Sequence, residues 1–286
     1  MDGPSGTLVM GIVNATPDSF SDGGRYRGVT ALLARALALH EAGAGIIDVG
    51  GESGVTHRPA VSSEEEIERV VPLVERLAAA GVPVSVDTWK PEVARAALEA
   101  GATMVNDVSG LRDPAMAEVC APAGASLVIT HTRAVPKHKV FPAYADVVAD
   151  VVAFLRERIA HAAQHGVAPE RIVVDPGIDL AKTPAQSVEV LRRLGEVAAL
   201  GHPVLLAVSR KDFVGAVTGR PPRERLAGTL AAVAAGLDAG AAILRVHDVA
   251  EVVDYLRIRA ALTGSEPVAE DLRLAENLRR EPTAGS

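Results

Sequence analysis

The chain has 286 residues, 48% of them hydrophobic, which is enough to bury the core of one α/β barrel or of two smaller domains. A formal charge of −7 argues against a general nucleic-acid binder, while leaving room for a local basic pocket that holds phosphate. Cys120 is the one cysteine, so an intrachain disulfide framework is excluded; no apolar run approaches the roughly 18 residues of a membrane span, and Met1 to Thr7 lacks the basic and apolar parts of a signal peptide.

These features lead to the expectation of a cytoplasmic protein with no nucleic-acid or membrane partner. Aromatic residues are only 3% of the chain, so its core must be built from Ala, Val, Leu and Ile. An apolar run from Leu8 ends abruptly at Asn14 and spills into a loop to Gly24 crowded with Pro, Asp, Ser and Gly. Helical periodicity follows from Val29 to Ala42, then an apolar strand from Ala44 to Val49 closed by Gly50-Gly51-Glu52-Ser53. Ser62 and Ser63 precede a Glu-rich turn and predict a helix to Ala80. A strand from Val82 to Val86 carries Asp87 at its end, and Pro91 opens a helix that stops near Gly101. Thr103 to Val105 reads as a short strand ending in Asn106-Asp107, followed by a helix from Pro114 to Ala123. The strand Ser126 to Thr130 ends in His131, and a longer loop leads to a helix from Tyr144 to His165. Arg171 to Val174 ends in Asp175-Pro176-Gly177, and a single helix is expected from Pro184 to Leu200. Val204 to Val208 ends in Ser209-Arg210-Lys211, Arg223 to Ala239 is helical, and Ala242 to Leu244 ends in Arg245-Val246-His247-Asp248. A last helix spans Ala250 to Leu262.

Eight strand-then-helix units in this length predict a (β/α)₈ TIM barrel as a single domain over residues 8–263. An open doubly wound sheet normally has a Gly-rich turn after its first strand, and no GxGxxG occurs there. Residues 1–7 read as an N-terminal extension, and residues 264–286 as a frayed or surface-lying tail.

Polar or ionisable residues recur at the strand ends: Asn14, Glu52, Asp87, Asn106, Asp175, Lys211, and the pair Arg245 and His247. In a barrel these ends converge on one face, so residues far apart in sequence surround one mouth. Asp87, Asn106 and Asp175 suit a flat heterocycle with amino and carbonyl edges, because a carboxylate accepts two parallel N–H bonds from an amidine-like fragment. Lys211, Arg245 and His247 suit a phosphate, a diphosphate or a ring carbonyl. Asn14 with its oxygen-rich loop suits Mg²⁺, which favours oxygen ligands and substrate phosphates. The sequence has no HExxH and no GxSxG, so the expected catalysis is electrostatic and positional.

The blocks Met10-Gly11-Ile12-Val13-Asn14 to Gly24, Asp48-Val49-Gly50-Gly51-Glu52-Ser53, Val86-Asp87-Thr88, Asn106-Asp107, Asp175-Pro176-Gly177, Ser209-Arg210-Lys211 and Arg245-Val246-His247-Asp248 resemble the dihydropteroate synthase family. The likeness runs from residue 8 to about residue 262. It implies condensation of 6-hydroxymethyl-7,8-dihydropterin diphosphate with 4-aminobenzoate, or a related aromatic amine, with release of diphosphate. By that resemblance Asp87, Asn106, Asp175 and Lys211 hold the pterin ring, while Arg245, His247 and Asn14 with Mg²⁺ hold the diphosphate. The implied catalytic set is Asn14, Asp87, Lys211, Arg245 and His247, with Thr56, Arg58, Ser209 and Leu180 adding to the substrate-binding set. The family also implies a homodimer formed through the outer helices.

Departures from the family pattern gather around the amine acceptor. Ser53-Gly54-Val55-Thr56-His57-Arg58-Pro59 replaces the usual run that follows Gly-Gly-Glu-Ser. Asp179-Leu180-Ala181-Lys182 replaces Gly-Phe-Gly-Lys, losing an aromatic wall and adding a carboxylate that, pointing inward, repels an aminobenzoate. Thr130-His131-Thr132 replaces Met-His-Met, and Lys137 and Lys139 lie just beyond it, either as a solvated face or facing an anionic acceptor. These changes keep open a pterin-binding paralogue with little or no synthase activity. A pterin-dependent methyltransferase domain is disfavoured by the complete Ser209-Arg210-Lys211 and Arg245-Val246-His247 blocks. Trp89 is expected to act as a lid or packing residue rather than a cofactor platform.

Overall fold

The computed structural model describes residues 6–15, 25–52 and 60–279. Eight parallel strands close into a barrel in sequence order: β1 (Leu8–Asn14), β2 (Ile46–Gly50), β3 (Val84–Asp87), β4 (Met104–Asp107), β5 (Ser126–Thr130), β6 (Ile172–Asp175), β7 (Val204–Leu206) and β8 (Ala241–Val246). Pairing of Leu8 with Ile243 and Met10 with Arg245 joins the last strand to the first. The outer layer comprises α1 (Arg25–Glu41), α2 (Ser63–Ala79), α3 (Pro91–Glu99), α4 (Ala115–Ala123), α5 (Val147–Gln164), α6 (Pro184–Arg192), α7 (Leu194–Ala198), α8 (Asp212–Thr218), α9 (Leu226–Asp238) and α10 (Val249–Thr263). The TIM barrel expected from the sequence is the observed fold.

Local chemistry starts these helices where the sequence puts it. Ser62 accepts from the Glu65 amide, and three glutamates in the first turn of α2 complement the helix dipole. Thr183 and Gln186 form a reciprocal capping box on α6. Asp146 accepts from the Val148 and Ala149 amides, so α5 starts at Val147 rather than at Tyr144. The helix expected from Pro184 to Leu200 is broken at Arg193 into α6 and α7, and α8 was not expected at all. No helix among the described residues is long and apolar enough to cross a membrane.

Strand alternation explains how a barrel of aliphatic residues acquires a polar mouth. The main core lies between strands and helices, and a second cluster fills the barrel itself: Met10, Ile46, Met104, Val128, Val173, Leu205 and Ile243, with Ala207. Side chains two residues further along each strand share that inward face. They are Ile12, Asp48, Asn106, Thr130, Asp175, Ala207 and Arg245, and one further step reaches Asn14 and His247. An apolar plug thus closes one end of the barrel, and a polar layer stands directly above it at the carboxyl ends of the strands.

Candidate active site

That polar layer lines a cavity of about 530 Å³, within the range that takes a small organic ligand. Asn14, Asp87, Asn106, Asp175, Leu180, Lys211, Arg245 and His247 all line it, so eight positions predicted from separate parts of the sequence meet in one place. Ser209 is not among the lining residues. It is buried, its Oγ accepts from the His247 amide at 3.2 Å, and it lies 3.0 Å from His247 Nδ1. Thr56, Arg58 and the loop Thr16–Gly24 lie outside the described residues.

Arg245 organises the floor. Its Nε donates to Asp48 Oδ2 at 2.6 Å and its Nη2 to Asp87 Oδ2 at 2.7 Å, while Asn106 Nδ2 donates to Asp48 Oδ2 at 3.2 Å. Asp48 is fully buried and was not singled out from the sequence; the signal was its i+2 position from Ile46, which places it on the inward face. Burial pushes the Asp87 carboxyl up to about 7, opposed by Arg245 and reinforced by Asp48 and Glu66. Burial also raises Asp175, against the Gly177 amide and the Lys211 charge, and it lowers Lys211, against Asp179 and Asp175. Each charged group therefore depends on an opposite neighbour for its ionised form. Asn106 Oδ1 and Thr130 Oγ1 are buried beside the cavity without a hydrogen-bond partner among the described residues, as acceptors able to take donors from a ligand.

Burial, with Arg210 and Arg245 nearby, holds His247 down to about 4, so its imidazole is neutral. Ser209 Oγ accepts from the His247 amide and stands in hydrogen-bond reach of Nδ1, which fixes the orientation of the ring and leaves Nε2 as its other polar atom. Arg210 turns away and grips Asp248 through Nε and Nη2.

Three features of the mouth bear on the acceptor. Asp179 lines the cavity with both carboxylate oxygens engaged: Oδ1 accepts from Ser187 Oγ at 3.0 Å, and Oδ2 accepts from the Phe213 amide at 3.2 Å, tying the β6–α6 loop to α8. The carboxylate added beside the cavity is thus a structural ligand of a helix start. Lys137 and Lys139 both line the cavity, but Lys137 Nζ lies 3.6 Å from Glu52 Oε1 and Lys139 Nζ lies 3.5 Å from Asp212 Oδ2. Glu52 is also held by Lys90 Nζ at 2.8 Å, which places it in a buried network with Glu66. Trp89 lines the cavity, with Lys90 Nζ over its ring 5.1 Å from the centroid.

The sequence of a family described as pterin binding enzymes matches residues 10–247. The chain is 43% identical to the dihydropteroate synthase of Bacillus subtilis, covering 90% of this chain and 88% of that one. It is 41% identical to the Escherichia coli dihydropteroate synthase, covering 90% and 93% respectively. Among solved structures, the dihydropteroate synthase of Xanthomonas albilineans with 4-aminobenzoic acid superimposes with a TM-score of 0.85 at 46% identity, covering 91% of this chain and 94% of that one. With the barrel, the matched region and this coverage in hand, the chain belongs to the dihydropteroate synthase family of pterin-binding enzymes.

Proposed function

We propose that this chain condenses 6-hydroxymethyl-7,8-dihydropterin diphosphate with 4-aminobenzoate and releases diphosphate. The observation that carries the reading is the convergence of Asp87, Asn106, Asp175, Lys211, Arg245 and His247 on one cavity. In this reading Asp175 and Asn106 take the amino edge of the pterin, Lys211 donates to the ring carbonyl, and Asp87 faces a ring N–H. Arg245, already anchored through Nε and Nη2, offers Nη1 to the diphosphate, and His247 offers Nε2–H. Charge thus meets the leaving group as it departs, when stabilisation lowers the barrier most. The amine then attacks the exposed methylene carbon from the mouth, where Leu180 and Trp89 supply the walls.

Asn14 stands exposed at the end of β1 beside these groups, and no cluster of three or more His, Cys, Asp or Glu among the described residues could hold a metal by itself. One amide oxygen completed by substrate oxygens fits Mg²⁺, which keeps waters and shares phosphates rather than needing a protein cage. Held by Asn14 and the diphosphate, Mg²⁺ would neutralise the charge that builds on the leaving group.

The same proposal takes residues 8–263 as the catalytic unit, leaves 264–286 outside it, and places the enzyme in the cytoplasm. It also takes the enzyme as a homodimer through α8 and α9. Ala227, Ala231 and Ala235 form an exposed, uncharged ridge on α9, and Val217 of α8 is 73% exposed. Ala231→Glu should shift a dimer to monomer in gel filtration, and a monomeric wild type removes this part of the proposal. For the reaction, mass-spectrometric detection of dihydropteroate from the two substrates is the test. Pterin binding without product would assign the chain to the non-synthase paralogue.

A further inference from the structure

The β6–α6 connection packs three left-handed residues into five. Gly177, Asp179 and Ala181 have φ of 66°, 64° and 50°. Non-glycine residues keep such a conformation only where their surroundings over-determine it. Two contacts do so. Tyr144 Oη donates to the Ala181 carbonyl at 2.9 Å. Lys182, only 1% exposed, drives its ammonium underneath the loop.

That ammonium has three protons and three acceptors: His131 Nδ1 at 2.7 Å, the Gly177 carbonyl at 2.9 Å and the Leu180 carbonyl at 3.2 Å. Donation to Nδ1 requires that nitrogen to be bare, so His131 carries its proton on Nε2 and donates it to Asp150 Oδ1 at 2.9 Å. Arg133 grips the same carboxylate from outside. A buried chain therefore runs from Asp150 of α5 through His131 to Lys182 and ends on two loop carbonyls. The loop transmits that hold to the cavity. The Gly177 amide donates to Asp175 Oδ1 at 2.7 Å, fixing the side chain that faces the cavity, and Leu180 is part of the cavity wall.

We propose that Lys182 is a positioning residue for the transfer reaction: its ammonium, braced by His131 and Asp150, clamps the loop that aims Asp175 and Leu180, so ligand binding depends on the charge of a lysine that touches no ligand. The proposal rests on the reading of the cavity as a pterin site. Facing this lysine are His131 just after β5, Tyr144 just before α5, Asp150 on α5, Asp175 on β6, Asp179 in the loop and Lys211 before α8. Burial lowers Lys182 to about 7, with Asp175, Asp150 and Asp179 opposing the shift and Lys211 adding to it. The clamp should therefore be charged below pH 7 and released above it.

Two measurements on Lys182→Met test this. The first is amide hydrogen exchange of residues 176–182 without ligand, expressed as protection factors. The variant should lose at least about tenfold protection in this loop but not in the strands, and wild type should show the same local loss between pH 6.5 and 8.5. The second is affinity for 6-hydroxymethyl-7,8-dihydropterin without the diphosphate, from pH 6 to 9. The ratio of wild-type to variant affinity should be about ten or more at pH 6 and fall toward one at pH 9. Asp87 is present in both proteins, so its own titration cancels in that ratio. A lysine serving stability alone gives a ratio that does not move with pH, and either that result or unchanged loop protection overturns the proposal. Failure of wild type to bind any pterin refutes the reading of the cavity instead, and loop exchange then decides the clamp. If Lys182→Met does not fold, the loop-exchange series on wild type between pH 6.5 and 8.5 decides it.

Discussion

Asp87→Asn tests the electrostatic floor of the cavity. Asparagine keeps the shape and one acceptor oxygen but loses the charge that faces Arg245 at 2.7 Å. A hydrogen bond to a charged group contributes about 1.5–3 kcal/mol, so pterin affinity at pH 8 should fall roughly 10- to 150-fold. The pH dependence is more discriminating than the loss itself. Burial raises Asp87 to about 7, so wild type binds through a carboxylate above that pH and through a neutral acid below it. The ratio of wild-type to variant affinity should therefore fall as pH drops through 7, because the Lys182 clamp is common to both proteins and cancels in that ratio. By about pH 5.5 the two should converge, since both then present a neutral group. Calorimetric titration with 6-hydroxymethyl-7,8-dihydropterin keeps phosphate ionisation out of the measurement. Parallel pH profiles for the two proteins would refute the reasoning, because the charge of Asp87 would then not be what the ligand senses.

His247→Ala should weaken the pterin diphosphate by about 1.5–3 kcal/mol yet leave the pterin without diphosphate unaffected; equal losses for both would move His247 to the ring. Leu180→Phe should lower the Michaelis constant for 4-aminobenzoate by up to about tenfold, through stacking worth about 0.5–1.5 kcal/mol, and an unchanged constant would take Leu180 out of the acceptor wall. Asp179 should be left intact in that experiment, because it holds Ser187 and the start of α8. Gly177→Ala places a methyl group 1.9 Å from the His131 carbonyl oxygen at a positive φ, so its urea midpoint should reveal a loss of about 3 kcal/mol or more.

Much of the fold was legible because a strand buried on both faces is a continuous apolar run. Where such a run meets Asn14, Asp87, Asn106 or Asp175, the end of the strand is marked in the sequence. The site was legible for the same reason, since a closed barrel turns eight strand ends into one mouth. What escaped notice has physical causes. The helix α8 is seven residues with Gly215 inside it, too short to display a period. The break at Arg193 carries neither Gly nor Pro at its own position, and Gly195 two residues on is a single glycine that a helical pattern tolerates. Asp48 hides inside an apolar run, and only its parity with Ile46 reveals that it faces Arg245. The direction of Asp179 depends on Ser187 and Phe213, partners set by tertiary packing. Lys182 read as part of an acceptor loop, whereas its acceptors come from His131 and from backbone brought beneath it by the fold.

The central claim is that the cavity transfers a pterin from diphosphate to an aromatic amine. Its most direct test is diphosphate release from 6-hydroxymethyl-7,8-dihydropterin diphosphate, measured with Mg²⁺ in the presence and absence of 4-aminobenzoate. Release should depend on the amine and be abolished together with product in Arg245→Ala. Bound pterin diphosphate that yields no diphosphate at saturating 4-aminobenzoate would contradict it.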